Sequence, residues 1–115
     1  MEEAVERVII VEGKTDKKKV QEVINEPVEI ICTNGTIGLS RMDELIDSLF
    51  DKEVFIFVDA DDSGEKLRRQ FKREFPEAKH IYIDRTYREV ATAPENHVAS
   101  VLLQANIHVH SKYLF

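Results

Sequence analysis

The sequence predicts an α/β fold in which a mainly parallel sheet of about four strands carries helices on both faces. Four short apolar runs alternate with four amphipathic stretches along the chain, as they do in repeated strand–helix units. Two of these runs are uninterrupted, which is typical of strands that are covered on both faces. We therefore expect a single domain over residues 1–115, with its core at about 7–104 and a tail at 105–115.

The predicted strands are the four apolar runs, which are rich in β-branched and aromatic residues. The first and third, at 8–11 and 54–58, are the uninterrupted ones. The second and fourth, at 28–32 and 81–83, are shorter, and the fourth is compatible with an edge strand.

The stretches between the predicted strands have the apolar spacing of helices. Thr15 is the predicted N-cap of the first helix, and Ser40 with Asp43 resembles a capping box at the start of the second. The third helix is predicted to stop at Pro76, and the fourth to begin at Thr92. The pattern of the tail leaves two possibilities open, a last strand or a docked arm.

Composition indicates an ordinary globular protein, with 43% hydrophobic and 33% charged residues. No apolar run approaches the roughly 20 residues that span a bilayer, and the acidic N-terminus lacks the features of a signal peptide. Cys32 is the only cysteine, so no disulfide is expected. These observations predict a cytoplasmic protein with no membrane partner.

The net charge of −6 argues against a nucleic-acid partner, but its distribution is uneven. Residues 66–88 contain eight Lys or Arg residues against three acidic ones. A local basic face and an ordinary solvated helix surface are both compatible with this stretch.

Acidic residues follow the predicted strands, where ligands bind in open α/β sheets. Glu12 follows the first strand, Gly35 the second, and Asp59 and Asp61 the third. Two like charges about 4 Å apart repel by roughly 4 kcal/mol at an effective dielectric near 20, so such a cluster needs a cation, a shared proton or a basic partner. Carboxylate oxygens suit Mg²⁺ or Mn²⁺, with water and substrate phosphates as further ligands.

Three motifs at these strand ends resemble the Toprim domain. They are Val-Glu-Gly at 11–13, the glycine at 35, and Asp-Ala-Asp-Asp-Ser-Gly at 59–64. The resemblance runs from residue 7 to about residue 83 and implies a Rossmann-like fold. The Toprim domain is shared by type IA and type II topoisomerases, bacterial primases, OLD-family nucleases and RecR-type repair proteins. The segment at 12–16 looks most like the small Toprim proteins related to the ribonuclease that matures ribosomal RNA precursors.

The resemblance implies roles for the acidic cluster. Asp59 and Asp61 would hold the divalent metal, and Glu12 would either join them or act as general acid or base at a phosphodiester. Both roles agree with metal-ion chemistry at phosphoryl groups and with proton transfer by a nearby carboxyl.

Five further residues are candidates for contact with phosphate or nucleic acid. Lys14 lies near a helix start. Gly35 and Gly64 are glycines of the motifs, and Arg85 and Arg88 follow the fourth strand.

The third helix is expected to carry a basic strip. Arg68 and Lys72 are four residues apart, as are Arg69 and Arg73, so the members of each set are neighbours on a helix surface. Glu65 is also placed to form an ion pair with Arg69.

Three functions compete. The leading one is a magnesium-dependent nuclease acting on RNA or DNA. The second is a non-catalytic Toprim module that binds nucleic acid or a protein partner. The third, a HAD-type phosphatase with Asp59 in its nucleophile loop, is disfavoured because that loop normally opens the chain. The sequence leaves the oligomeric state open, and with it the role of His108 and His110 in the tail.

Overall fold

A computed structural model describes residues 5–114. Its strands are β1 (Arg7–Val11), β2 (Glu29–Cys32), β3 (Glu53–Val58) and β4 (Lys79–Tyr82). All neighbouring strands are parallel, in the order β2-β1-β3-β4, which confirms the predicted fold. The two uninterrupted apolar runs are the two central strands, and β4 lies at an edge.

The helices cover both faces of this sheet. They are α1 (Lys14–Val23), α2 (Leu39–Leu49), α3 (Asp62–Glu74) and α4 (Glu95–Gln104). Side chains alternate between faces along each strand. Ile9 and Phe55 therefore pack with α1 and α4 on one face, whereas Val8 and Val54 pack with α2 and α3 on the other. The strands thus bury both faces, and their carboxyl ends share one edge.

The first two helices begin earlier than the sequence predicts. The N-cap of α1 is Gly13 and not Thr15, because the carboxylate of Asp16 reaches back to accept the Gly13 N–H at 3.0 Å. The N-cap of α2 is Gly38, so Ser40 lies inside the first turn and forms no capping box. Both starts therefore use a glycine in extended conformation, which carries no side-chain signal.

The sequence predicts the end of α3 correctly and the start of α4 incorrectly. The helix α3 ends at Glu74 with Phe75 as C-cap, as predicted from Pro76. The helix α4 begins at Glu95 after Pro94, so the prediction of a start at Thr92 was wrong.

The tail after α4 is a docked arm. Ile107 is fully buried against α1 and α4, and Val109 forms an isolated antiparallel bridge with Ile24. His108 accepts the Asn25 N–H through its carbonyl at 2.8 Å, and a short 3₁₀ turn follows at Ser111–Tyr113. Among residues 5–114 no helix has the length and apolar character needed to cross a bilayer.

Candidate metal centre

Three carboxylates meet at the carboxyl edge of the sheet. Glu12 directly follows β1, and Asp59 and Asp61 follow β3, the neighbouring strand. One carboxylate oxygen from each lies within 4.8 Å of the other two. The structure therefore brings together the acidic residues that the sequence singled out.

Glu12 has one oxygen in a hydrogen bond and one without a partner. Its Oε2 accepts a hydrogen bond from the Ser63 hydroxyl at 2.7 Å. Its Oε1 is buried and has no hydrogen-bond partner within residues 5–114. A buried acceptor without a partner costs free energy, so this oxygen is available for a ligand that supplies positive charge.

Backbone N–H groups orient the two aspartates. Asp59 Oδ1 accepts from the Val90 N–H at 2.8 Å, and Asp61 Oδ1 accepts from the Gly64 N–H at 2.8 Å as the N-cap of α3. Hydrogen bonds of this kind fix the direction of a metal-binding carboxylate. Both aspartates are thus held in place by the fold before any ligand arrives.

Gly64 is required by the shape of this loop. It is buried in the first turn of α3, and a Cβ there would lie 2.0 Å from the carbonyl oxygen of Asp59. The glycine of the motif therefore lets α3 start directly against the end of β3. Its predicted contact with phosphate stays a prediction.

The electrostatics of the cluster disfavour its fully ionised form. Burial is the main cause that raises the pKa of Asp59 to about 6, and the charges of Asp16, Glu12 and Asp61 add to it. Burial also raises the pKa of Asp16, with a further contribution from Glu12 and Glu89. The surroundings of these carboxyls are therefore set up for added positive charge.

An open groove of about 480 Å³, which we call the acidic groove, adjoins the cluster. Glu12 and Asp59 line it, together with Asn34 and Gly35 from the loop after β2. Asn34 and Gly35 have φ values of 58° and 105°, in the left-handed region that suits these two residue types. The loop thus turns sharply beside the acidic cluster, where Gly35 was expected.

Two contributors to the site escaped the sequence analysis. Ser63 fixes Glu12 and could have been noticed as the hydroxyl within the Asp-x-Asp-x-x-Gly motif. The segment after β4 supplies the Val90 N–H to Asp59 and places Glu89 in the groove. That segment has no helical or strand periodicity, so nothing in the sequence linked it to Asp59.

The remaining predicted contact residues are exposed. Lys14 is the first residue of α1, next to Gly13 of the groove. Arg85 and Arg88 lie in the segment after β4, and the Arg88 carbonyl accepts the Ala60 N–H at 2.7 Å. Their contact with phosphate stays a prediction.

The predicted basic strip on α3 is wrong in one member. Arg68 is buried and donates hydrogen bonds to the carbonyl of Ile81 at 3.1 Å and to the ring of His80 at 3.0 Å. Burial and the Arg68 charge lower the pKa of His80 to about 4, so its neutral ring can accept this bond. Glu65 pairs with Arg68 at 3.9 Å and not with Arg69. Arg68 is therefore a structural residue that joins α3 to β4.

The donor set fits a hard divalent cation. The cluster offers three carboxylates, of which two are oriented by backbone N–H groups. The third, Glu12, has a buried oxygen that finds no partner in the part of the chain that the structure describes. Mg²⁺ and Mn²⁺ prefer such oxygen ligands and leave positions for water and phosphate.

Comparison with known proteins places the chain among proteins that carry this domain. Residues 7–86 match the family model described as the Toprim domain. Uncharacterized protein YusF of Bacillus subtilis (strain 168) is 62% identical over 109 residues, which make up 95% of this chain and 75% of that protein. Ribonuclease M5 1 of Ligilactobacillus salivarius (strain UCC118) is 35% identical over 69% of this chain and 42% of its own length. Ribonuclease M5 of Mycoplasma pneumoniae is also 35% identical, over 68% of this chain and 43% of its own.

A solved structure agrees with these relatives. The small TOPRIM domain protein from Bacillus stearothermophilus has a TM-score of 0.94 and 58% identity, over 98% of this chain and 96% of its own. The chain spans about two fifths of the length of the ribonuclease M5 relatives. With its sheet order, its acidic cluster and these matches together, the chain belongs to the Toprim domain family.

Proposed function

We propose that this protein is a magnesium-dependent enzyme that cleaves phosphodiester bonds in nucleic acid, and that RNA is its substrate class. The observation that carries the proposal is the buried Oε1 of Glu12, which has no hydrogen-bond partner among residues 5–114 and lies beside Asp59 and Asp61. The similarity to proteins named ribonuclease M5 supports RNA over DNA.

The surroundings of the three carboxylates suggest which would bind the metal ion and which would transfer a proton. Asp59 and Asp61 are oriented by backbone N–H groups and would hold Mg²⁺ or Mn²⁺, with Glu12 as a third ligand or as the acid–base group. The ion, when bound, neutralises charge on the phosphoryl oxygens and lowers the pKa of bound water. The Ser63 hydroxyl holds Glu12 in place by its hydrogen bond to Glu12 Oε2. Glu12 would then take up or release a proton at its other oxygen, Oε1.

The groove would receive the reacting phosphate. Gly13 and Gly35 are among the residues that line it and contribute no side chains to it. Lys14, Arg85 and Arg88 are exposed, and Lys14 and Arg88 are the chain neighbours of Gly13 and Glu89, which line the groove. All three would be cations for neighbouring phosphates.

The substitution Glu12→Gln tests the proposal. It keeps the shape of the side chain and removes the titrating proton, so cleavage should fall by roughly 10²- to 10⁴-fold, while Mg²⁺ affinity should fall far less. Cleavage of structured RNA and Mg²⁺ binding are measured together in wild type and variant, with Glu44→Gln, an exposed change on α2, as control.

Two outcomes would revise the proposal. A parallel loss of cleavage and Mg²⁺ affinity would make Glu12 a metal ligand and not the acid–base group. Absence of cleavage by the wild type on structured RNA, duplex DNA and single strands would overturn the enzyme assignment.

A second candidate is a non-catalytic module that binds nucleic acid or a protein partner. What supports it is that the similarity covers about two fifths of the length of the ribonuclease M5 relatives, so it does not by itself carry their whole activity to this chain. The same cleavage assay separates the two candidates, because a module would bind RNA and leave it intact.

A further inference from the structure

A second cavity, of about 440 Å³, lies between α3 and the loop that joins β2 to α2. We call it the basic cleft, and it is lined by Thr36, Ile37, Lys66, Arg69, Gln70 and Arg73. Three of these residues are cations and none is a carboxylate. The cations recur at helical spacing and therefore share one face of α3.

The walls of the cleft are tied together. Gln70 accepts the Ile37 N–H at 3.2 Å and donates its side-chain amide to the Ile37 carbonyl. This pair of bonds fixes the loop against α3. Thr36 lines the cleft, and its neighbour Gly35 lines the acidic groove, so the two cavities meet at one loop.

The charges of the cleft are available to a ligand. Within the described part of the chain, Lys66 and Arg69 form no ion pair, and Arg73 pairs only with the adjacent Glu74. The side chain of Arg73 remains 68% exposed. On a protein of net charge −6, such a local cluster of exposed cations favours a polyanionic partner.

The line of cations continues from the acidic site. The N-cap of α3 is Asp61, a member of the carboxylate cluster, and Lys66 follows after little more than one turn. At 1.5 Å per residue, Lys66 to Arg73 covers roughly 10 Å along the helix. That length is greater than a single phosphate group spans, so the three cations can contact more than one phosphate of the same strand.

We propose that the basic cleft binds the phosphate backbone of the same RNA strand whose scissile phosphodiester lies at Glu12, Asp59 and Asp61. The strand would pass from the acidic groove over Gly35 and Thr36 and continue along α3 toward its C-terminus. This inference rests on the proposed function, since it names how that substrate is held. Lys66, Arg69 and Arg73 position the strand and take no part in the chemistry.

The test removes the three cleft cations together, as Lys66→Gln, Arg69→Gln and Arg73→Gln. Its matched control removes three cations elsewhere, Lys52→Gln, Lys79→Gln and Lys112→Gln. Lys52 and Lys79 lie at the amino ends of β3 and β4, and Lys112 lies in the tail. Affinity for a fluorescein-labelled RNA hairpin is measured by anisotropy at several salt concentrations. All proteins carry Glu12→Gln, so that the RNA stays intact.

The cleft variant should bind more weakly, and its slope of log affinity against log salt should be shallower by about 2 to 3, from roughly 0.7 to 0.9 per lost phosphate contact. The control should keep the slope of the parent. Equal slopes for the cleft variant and the parent would overturn the cleft and leave the proposed function standing. Failure of the parent to bind RNA at low salt would overturn both.

Discussion

The two ends of the sheet carry their charges in opposite arrangements. At the amino ends of the strands, Arg7 of β1 lies 2.9 Å from Glu53 and 3.1 Å from Glu26. Lys79 of β4 lies 3.2 Å from the same Glu53. Each of these two carboxylates therefore has a cation of the protein beside it.

At the carboxyl ends the balance is absent. Within residues 5–114, none of Glu12, Asp59 and Asp61 forms an ion pair with a basic side chain, although their oxygens lie within 4.8 Å of one another. The fold thus pairs the charges at the amino ends of the strands, where the ion pairs connect structural elements. The unpaired carboxylates at the other end are the ones for which we propose an external cation.

Gly64→Ala should have the greatest effect, because it disrupts the acidic end by steric means. It places a Cβ 2.0 Å from the Asp59 carbonyl oxygen, so the end of β3 and the start of α3 must move apart. We expect the free energy of unfolding to fall by about 3 kcal/mol or more, at the upper end for overpacked sites, and the Mg²⁺ response to weaken. Urea denaturation with and without Mg²⁺ measures both.

Gly38→Ala is the matched control for that substitution. Gly38 also precedes a helix, but a Cβ there would meet no atom of the described residues within 4 Å, and its φ of −69° suits alanine. The free energy of unfolding of Gly38→Ala should differ from that of the wild type by less than about 1 kcal/mol. Equal losses at Gly38 and Gly64 would contradict the close approach that we assign to Gly64.

A smaller effect is expected at the paired end. Arg7→Met removes the cation shared by Glu26 and Glu53 and the bond from Arg7 to the Asn106 carbonyl, so unfolding free energy should fall by about 2 kcal/mol. The stabilisation by Mg²⁺ should stay unchanged, because this end is far from the carboxylate cluster. Thermal melts with and without Mg²⁺ test both statements, and a lost Mg²⁺ response would remove the distinction between the two ends.

Much of this arrangement could be predicted from the sequence. Uninterrupted apolar runs identified the central strands, because strands buried on both faces have no polar alternation. Parallel strands then place the residues that follow them on one edge of the sheet. The positions of Glu12, Asp59 and Asp61 therefore predicted that their carboxylates share one edge, and they meet because β1 and β3 are neighbours in the sheet.

Other features depend on contacts that no local pattern records. Arg68 has the spacing of an exposed helical residue, yet its burial is decided by His80 and Ile81 of β4, more than ten residues later. The Val90 N–H reaches Asp59 from a segment without periodicity. The glycine N-caps were missed because a glycine contributes no side-chain bond.

The decisive test of the metal centre is the Mg²⁺-induced rise in melting temperature of wild type and Asp59→Asn. Asparagine can still accept the Val90 N–H but carries no charge. We predict stabilisation of the wild type by about 2.7 kcal/mol at a hundredfold excess of Mg²⁺ over Kd. In Asp59→Asn most of this shift should vanish, and the metal-free protein should melt at a higher temperature because repulsion is relieved. Asp47→Asn, a change on α2 away from the cluster, should retain the full shift. An equal Mg²⁺ response in wild type and Asp59→Asn would contradict the assignment of the carboxylate cluster as the metal centre.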